Sequence, residues 1–204
     1  MMPYSESRLT FEEETHTYLL DGVIVPSVTK ILKELALVDF SGIDPVVLNK
    51  KAELGTYVHK CCELMVQDDL DRENVLLEAR GYAQAFEKFL NEMCRGDSPF
   101  RILEMEKRVF HPFLRYAGTL DILAERENDQ WIIDIKTGSP QITFPLQTAA
   151  YSDCLGGGHK RACLYLSKDG TYRLDAHQDR NDIRVWQACV SLYHWKMNAK
   201  GGTK

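Results

Sequence analysis

Two charged residues, Asp134 and Lys136, stand two positions apart inside "WIIDIKTG", residues 131–138, among Trp131, Ile132, Ile133 and Ile135. Such a run reads as a buried strand. Side chains of a strand alternate between its two faces, so Asp134 and Lys136 point one way while Trp131, Ile133 and Ile135 point the other. The preceding strand-like run, "YAGTLDILAE", places Asp121 between Leu120 and Ile122 in the same manner. If the two strands are neighbours, Asp121, Asp134 and Lys136 share one face. Two carboxylates brought together repel, and half-burying each is costly. A divalent cation offsets that cost, and hard oxygen ligands suit Mg²⁺ or Mn²⁺. The lysine then supplies positive charge where a phosphate oxygen or an attacking water would sit. This is chemistry for cutting phosphodiesters: the cation lowers the pKa of a water and offsets charge on the phosphate. A plain Asp–Lys ion pair on a half-wet sheet is the structural alternative.

Two further pairs have helical spacing. "GTYVH" sets His59 and, one turn later, Glu63 on one helix face, where an imidazole nitrogen could join the same cation. "QTAAY" sets Gln147 and Tyr151 one turn apart, just after the strand that carries Lys136. An amide and a phenol there could hold a phosphate or orient the lysine.

The elements that must position these groups follow from patterning. "LTFEEETHTYLLDGVIV" alternates loosely and holds Asp21-Gly22, a hairpin turn signal, which makes residues 1–26 an N-terminal hairpin. "PSVTKILKELAL" predicts a helix with Ser27 as its N-cap. A longer helix fits from Pro45 to about Asp69, and another fits residues 72–95. Three strands follow ("FRILEMEKRVF", "YAGTLDILAE", "QWIIDIKTG"), then the short helix "PLQTAAYSDCL". A hairpin around Asp169-Gly170 and an amphipathic helix over 178–199 come next, with 199–204 as a flexible tail. The fold class is α/β, in one domain over 1–204.

Composition bounds the partners. A chain of 204 residues with 44% hydrophobic and 27% charged residues is an ordinary globular composition. No run approaches the ~20 apolar residues of a membrane span, and no secretory signal is read at the start. The expected compartment is therefore a reducing cytoplasm, where disulfides are not expected. Six cysteines form no CxxC pair. The net charge of −5 hides an asymmetry, since residues 155–204 carry +5 and the rest −10. A basic end on an acidic body can steer a polyanion, and Lys160 and Arg161 are its candidate substrate-binding residues.

Taken in order, Gly55–His59, Gly118–Asp121, Asp134–Lys136 and Gln147–Tyr151 form GxxxH, GxxD, DxK and QxxxY. This series resembles the PD-(D/E)XK nuclease superfamily, and within it the RecB-like exonuclease branch. The motifs cover residues 55–151, and the N-terminal hairpin with "VPSVT" gives a looser match to small phage-encoded members. The resemblance implies a restriction-endonuclease-like core, a central mixed β-sheet flanked by helices. It implies His59, Asp121, Asp134 and the Ile135 carbonyl as metal ligands, and Lys136 as the catalytic lysine. Gln147 and Tyr151 follow as its supporting, substrate-facing pair. Glu63 and Glu106 are second-tier groups that could reach the metal through water. Cysteine spacing fits no iron–sulfur cluster of the kind some relatives carry. With no GxxxxGK[ST] loop, no nucleotide is expected and unwinding would need a helicase or recombination partner.

The function so implied is an Mg²⁺- or Mn²⁺-dependent DNA exonuclease of phage or bacterial recombination and repair, acting in the host cytoplasm. The alternatives are a junction-resolving or restriction-type endonuclease of the same fold, and a non-catalytic nucleic-acid-binding module on this scaffold. A structural zinc domain using His59, Cys62 and Glu63 is a further rival.

Overall fold

In a computed structural model, which describes residues 8–37, 42 and 44–201, two sheets and five helices are formed. The small sheet is a meander of β1 (Leu9–Glu12), β2 (Thr17–Leu20) and β3 (Val23–Val25). Its second turn is the Asp21-Gly22 pair that the sequence marks. Leu20 pairs with Val23 across it, and both turn residues take positive φ, 54° and 75°. That is the geometry a two-residue hairpin loop needs. Arg8 holds the Asp21 carboxylate from β1's side at 2.7 Å. Residues 1–7, the start of the predicted hairpin, lie outside the described residues.

The large sheet has the order β4-β5-β6-β7-β8: β4 (Arg101–His111), β5 (Tyr116–Arg126), β6 (Asp129–Lys136), β7 (Lys160–Leu166) and β8 (Tyr172–His177). All neighbours are antiparallel except β6 and β7, which run parallel. A parallel pair needs a crossover, and α4 (Phe144–Cys154) supplies it. The sheet is therefore mixed and flanked by helices, with the hairpin sheet at the N-terminus. This is the central mixed β-sheet flanked by helices that the resemblance implies.

Each face of the sheet buries its own apolar cluster. On one face α2 (Pro45–Val66) and α3 (Arg80–Met93) pack Val58, Cys62, Phe86 and Phe89 against Ile122, Ile133, Ile135 and Leu164. On the other, α1 (Val28–Glu34), α4 and α5 (Asp182–Gly201) pack Ile31, Ala150, Tyr151, Trp186 and Val190 against Leu120 and Ile132. Ser27 caps α1 as expected, accepting the Lys30 N–H at 3.0 Å. All six cysteines are free.

Three boundaries differ from the sequence reading. The helix predicted over 72–95 begins only at Arg80. Ahead of it, the Asp71 carboxylate takes the Glu73 N–H at 3.2 Å and the Asn74 amide at 2.7 Å, so a short acid competes with helical hydrogen bonding. The N-terminal element is a three-stranded meander, because β1 also pairs along β2. The predicted tail from 199 is helical as far as Gly201, and 202–204 lie outside the described residues.

The hairpin sheet is fastened beside the large sheet next to Asp121. The Ala117 N–H donates to the Pro26 carbonyl at 3.0 Å, and the Tyr18 and Thr119 hydroxyls meet at 2.8 Å. The small sheet thereby becomes one wall of a cleft whose floor is β5 and β6.

Candidate metal centre and its lysine

Strand register brings three carboxylates into one row. Met105 pairs with Ile122 and Lys107 with Leu120, so Glu106 stands opposite Asp121. On the other side the β5–β6 ladder ends at Ile122 with Ile133, and one step further Asp121 stands opposite Asp134. Neighbours in a row project to the same face of a sheet. Glu106, Asp121 and Asp134 therefore project together from three adjacent strands.

The backbone is bent to this purpose. Glu106, in mid-strand, has φ of 49°, a left-handed conformation that costs a non-glycine residue about 1–2 kcal/mol. Where the β5–β6 ladder stops, the Asp121 carboxylate accepts the Ile135 N–H at 2.6 Å. A side chain thus replaces a missing ladder partner. The N–H and C=O of one strand residue leave on the same side, so the Ile135 carbonyl also turns toward β5.

His59 reaches this row from α2, where Val58, Cys61 and Cys62 anchor the helix in the core. Its Nδ1 lies 3.4 Å from Asp121 Oδ1 and 3.5 Å from Glu106 Oε1. One ligand atom from each of His59, Glu106 and Asp121 lies within 4.8 Å of the others, a group that could hold a divalent cation. Burial disfavours the imidazolium, but Asp121 and then Glu106 outweigh it and raise the His59 pKa to about 10. Burial likewise opposes ionisation of Asp121, yet His59, Lys136 and the Ile135 N–H hold it below the ordinary carboxylate range.

Asp134 is in a different situation. It is 1% exposed, and burial pushes its pKa up to about 6, against the pull of Lys136. One oxygen, Oδ2, meets Lys136 Nζ at 2.5 Å and the Cys163 thiol at 4.0 Å. The other, Oδ1, is buried with no hydrogen-bond partner, as is Glu106 Oε1. Buried orphan carboxylate oxygens are rare and costly. Glu106 Oε1 has His59 Nδ1 at 3.5 Å, while Asp134 Oδ1 has no donor; a hard cation would suit such oxygens.

Lys136 continues the chain of contacts. Its ammonium reaches the Gln147 carbonyl oxygen at 3.1 Å and lies 4.5 Å from the centre of the Phe144 ring. The Gln147 amide nitrogen donates to the Tyr151 hydroxyl at 3.0 Å. Tyr151 is thereby an acceptor toward Gln147 and keeps its own proton for another acceptor. Although burial works against the ammonium, Asp134 and Asp121 raise the Lys136 pKa, so the group is a fixed cation and not a base. Burial and the same two carboxylates raise the Tyr151 pKa as well, which keeps the phenol neutral. Gly118 is required here: a Cβ would come within 2.7 Å of the Tyr151 ring.

The cleft over these groups has a volume of about 470 Å³ and is lined by His59, Glu63, Glu106, Asp121, Asp134, Lys136, Gln147 and Tyr151, among others. The sequence-predicted core residues are brought together, with two changes of rank. Glu106, a second-tier candidate, joins His59 and Asp121 as closely as any residue, whereas Asp134 is paired with Lys136 instead. Glu63 lines the cleft but is engaged by Lys60 at 2.7 Å and Gln67 at 3.3 Å.

Lys160 and Arg161 are not brought to the cleft. Lys160 lies 3.7 Å from Asp129. The Arg161 guanidinium donates to the Pro145 carbonyl at 2.8 Å and to the Asp179 carbonyl and Asp182 carboxylate at 2.9 Å. It is a tie between α4, β7 and the start of α5, spent on internal acceptors. Helical phase and strand parity could not show this, since both residues read simply as surface cations.

No family model and no curated protein matches the chain. Among solved structures it is similar to an alkaline exonuclease (LHK-Exo) from Laribacter hongkongensis, at 12% identity over 85% of this chain and 88% of that one, with a TM-score of 0.48. A second, SSO0001, is 15% identical over 81% and 84%, with a TM-score of 0.28. At TM-scores below 0.5 neither likeness adds to what the residues themselves carry. No helix among the described residues is long and apolar enough to cross a membrane.

Proposed function

We propose that this protein is a metal-dependent deoxyribonuclease of the PD-(D/E)XK superfamily, in its RecB-like branch, working as an exonuclease. The observation that carries the reading is the row of Glu106, Asp121 and Asp134, with the orphan Oδ1 of a fully buried Asp134 beside a paired lysine. A structural ion pair needs one carboxylate per cation; this row has three, and the buried Oδ1 of Asp134 faces no donor.

The fit of the donors is to Mg²⁺ or Mn²⁺, held by His59, Glu106, Asp121 and Asp134, with the Ile135 carbonyl beside them. Such a cation, when bound, supplies charge neutralisation on the phosphate and a water of lowered pKa. The remaining chemistry belongs to the chain. Lys136 presents a permanent positive charge for the oxygen that becomes negative as the phosphorus–oxygen bond breaks, and Asp134 with Gln147 fixes where that charge stands. Tyr151 keeps a proton to donate to a phosphate oxygen, its own oxygen being oriented by Gln147. β6 and α4 hold these groups with backbone rigidity, which is what positioning a substrate demands.

The biological setting of this reading is phage or bacterial recombination and repair in the host cytoplasm, with any unwinding left to a partner. The test is digestion of end-labelled linear DNA beside closed circular DNA, with Mn²⁺ and with EDTA. Cation-dependent release of mononucleotides or short fragments from linear DNA only is the expected result. Cleavage of the circle would make the enzyme an endonuclease of the same fold, and no cleavage of either would reject the reading.

A further inference from the structure

A second cavity, of about 780 Å³, opens at the other end of the large sheet. Arg161 near the start of β7 lines it, whereas Tyr165, four residues on, pairs with Lys136 in the cleft. At ~3.3 Å per strand residue the two sites lie about 13 Å apart. Helix α4 is the wall between them: Gln147 and Tyr151 face the cleft, and Ala149 and Ser152 face the second cavity.

The two cavities differ sharply in charge. Four carboxylates line the cleft, namely Glu63, Glu106, Asp121 and Asp134. None lines the second cavity, although the chain carries a net charge of −5. Its polar lining comes from Ser152, His159, Lys160, Arg161, His177 and Arg180, among others. Two of these are held in place by hydroxyls one turn apart on α4. Thr148 Oγ1 meets His177 Nδ1 at 3.0 Å, and Ser152 Oγ meets His159 Nδ1 at 3.2 Å. Each ring is thereby pinned by one nitrogen, and burial lowers the pKa of both, which keeps them neutral. Thr148 Oγ1 gives its proton to the Pro145 carbonyl at 3.1 Å, so it accepts from His177 Nδ1–H and leaves His177 Nε2 an acceptor. Ser152 Oγ has no other acceptor among the described residues, so it donates to His159 Nδ1 and leaves the His159 Nε2–H a donor without a partner. Arg161 braces the floor through its bonds to Pro145, Asp179 and Asp182. Arg180, exposed at the rim, makes no ion pair among the described residues.

We propose that this cavity binds a phosphate group through Arg180 and the Nε2–H of His159. An unpaired guanidinium with one pinned N–H donor, and no carboxylate in the lining, suits an anion with several acceptor oxygens. The source of that phosphate rests on the nuclease reading: a strand whose scissile bond lies in the cleft offers either an internal diester or a terminal monoester. The cavity itself does not depend on the cleft being catalytic.

The test is equilibrium binding of the full chain, in EDTA, to one single-stranded oligodeoxynucleotide sequence with and without a terminal phosphate, at several salt concentrations. Wild type and Arg180→Ala are compared, with inorganic phosphate as a competitor. The expected result is a loss of affinity on the order of tenfold in Arg180→Ala and a salt slope lower by about one. A preference for the phosphorylated strand that Arg180→Ala removes assigns the monoester; an equal loss with both strands assigns the diester. His159→Ala should lose affinity for the same probe. Equal affinity and equal salt slope in wild type and Arg180→Ala, or no binding by wild type, overturns the proposal. Failure of the nuclease reading would show separately, as absent Mn²⁺-dependent cleavage with the EDTA binding results unchanged.

Discussion

The carboxylate of Asp121 accepts the backbone N–H of Ile135 at 2.6 Å, one step past the last β5–β6 pair. The same carboxylate, through its other oxygen, faces His59 at 3.4 Å. One side chain therefore closes a gap in the sheet and opens a site in it.

These two roles separate by substitution. Asp121→Asn keeps an acceptor for the Ile135 N–H and removes the charge, while Asp121→Ala removes both. Both variants are expected to lose cleavage and cation binding. In urea titrations with EDTA, Asp121→Ala should be less stable than Asp121→Asn by about 1–3 kcal/mol, the cost of a buried unpaired donor. Equal stability of the two variants would make the Ile135 contact dispensable.

Asp134 carries a pH signature. Burial raises its pKa to about 6, well above that of an unfolded aspartate, so the folded state binds this proton more tightly. Its contribution to stability is then complete below the unfolded value near 4 and is lost as pH rises through about 6. Two pKa units bound the effect at roughly 3 kcal/mol. The stability of Asp134→Asn relative to wild type, in EDTA, should therefore improve between pH 4.5 and pH 7, whatever constant offset the lost Lys136 pair introduces. Melting curves at the two pH values check this, and a difference that does not change with pH would place the raised pKa elsewhere.

Gly118 and Gly55 open two of the sequence motifs, yet only one is sterically required. A Cβ on Gly118 would lie 2.7 Å from the Tyr151 ring, whereas one on Gly55 meets only the Thr137 hydroxyl, at 3.7 Å. Gly118→Ala should displace Tyr151 and cost turnover at least tenfold with a stability loss of about 1–3 kcal/mol. Gly55→Ala, on an α-helix, should be neutral or stabilising by up to about 1 kcal/mol. Single-turnover rates and melting of both variants decide it, and a silent Gly118→Ala would show that Tyr151 has room to move.

Much of this was legible in the sequence, and the reasons differ by residue. Strand alternation sufficed to put Asp134 and Lys136 on one face, because the period of two is strict and Ile133 and Ile135 are buried on the other. The Asp21-Gly22 turn was legible because few sequences tolerate two consecutive positive φ angles. Glu106 was underrated because its role depends on β4–β5 register and on a left-handed backbone, neither of which leaves a periodic trace. The ties of Arg161 leave no trace in the sequence, because a cation in the C-terminal quarter looks the same there whether it meets solvent or the Asp182 carboxylate. The early start of α3 was misplaced because Asp71 and Asn74 settle a turn that average helix propensity ignores.

The ties of Arg161 have a consequence for stability. Arg161→Ala leaves the half-buried Asp182 carboxylate without its donor, while the Pro145 and Asp179 carbonyls keep those of Thr148 Oγ1 and the Asp182 N–H, and should cost about 2–3 kcal/mol. Lys160→Ala removes only an exposed pair with Asp129 and should stay within about 0.5 kcal/mol. Chemical denaturation of the two variants measures the contrast, and equal losses would return Arg161 to the surface.

The central claim is that Lys136 is held as a cation beside a divalent metal to stabilise charge on a breaking phosphodiester. Single-turnover cleavage of end-labelled linear DNA, by wild type and Lys136→Ala with Mn²⁺ and with EDTA, tests it most directly. Wild type should cut only with the cation, and Lys136→Ala should be slower by on the order of 10²–10³-fold, the loss typical of one preorganised electrostatic donor. Lys136→Arg should recover little, since a wide planar fork replaces a compact ammonium between Asp134 and Gln147. Wild-type rates from Lys136→Ala, or cleavage undiminished by EDTA, would contradict the account.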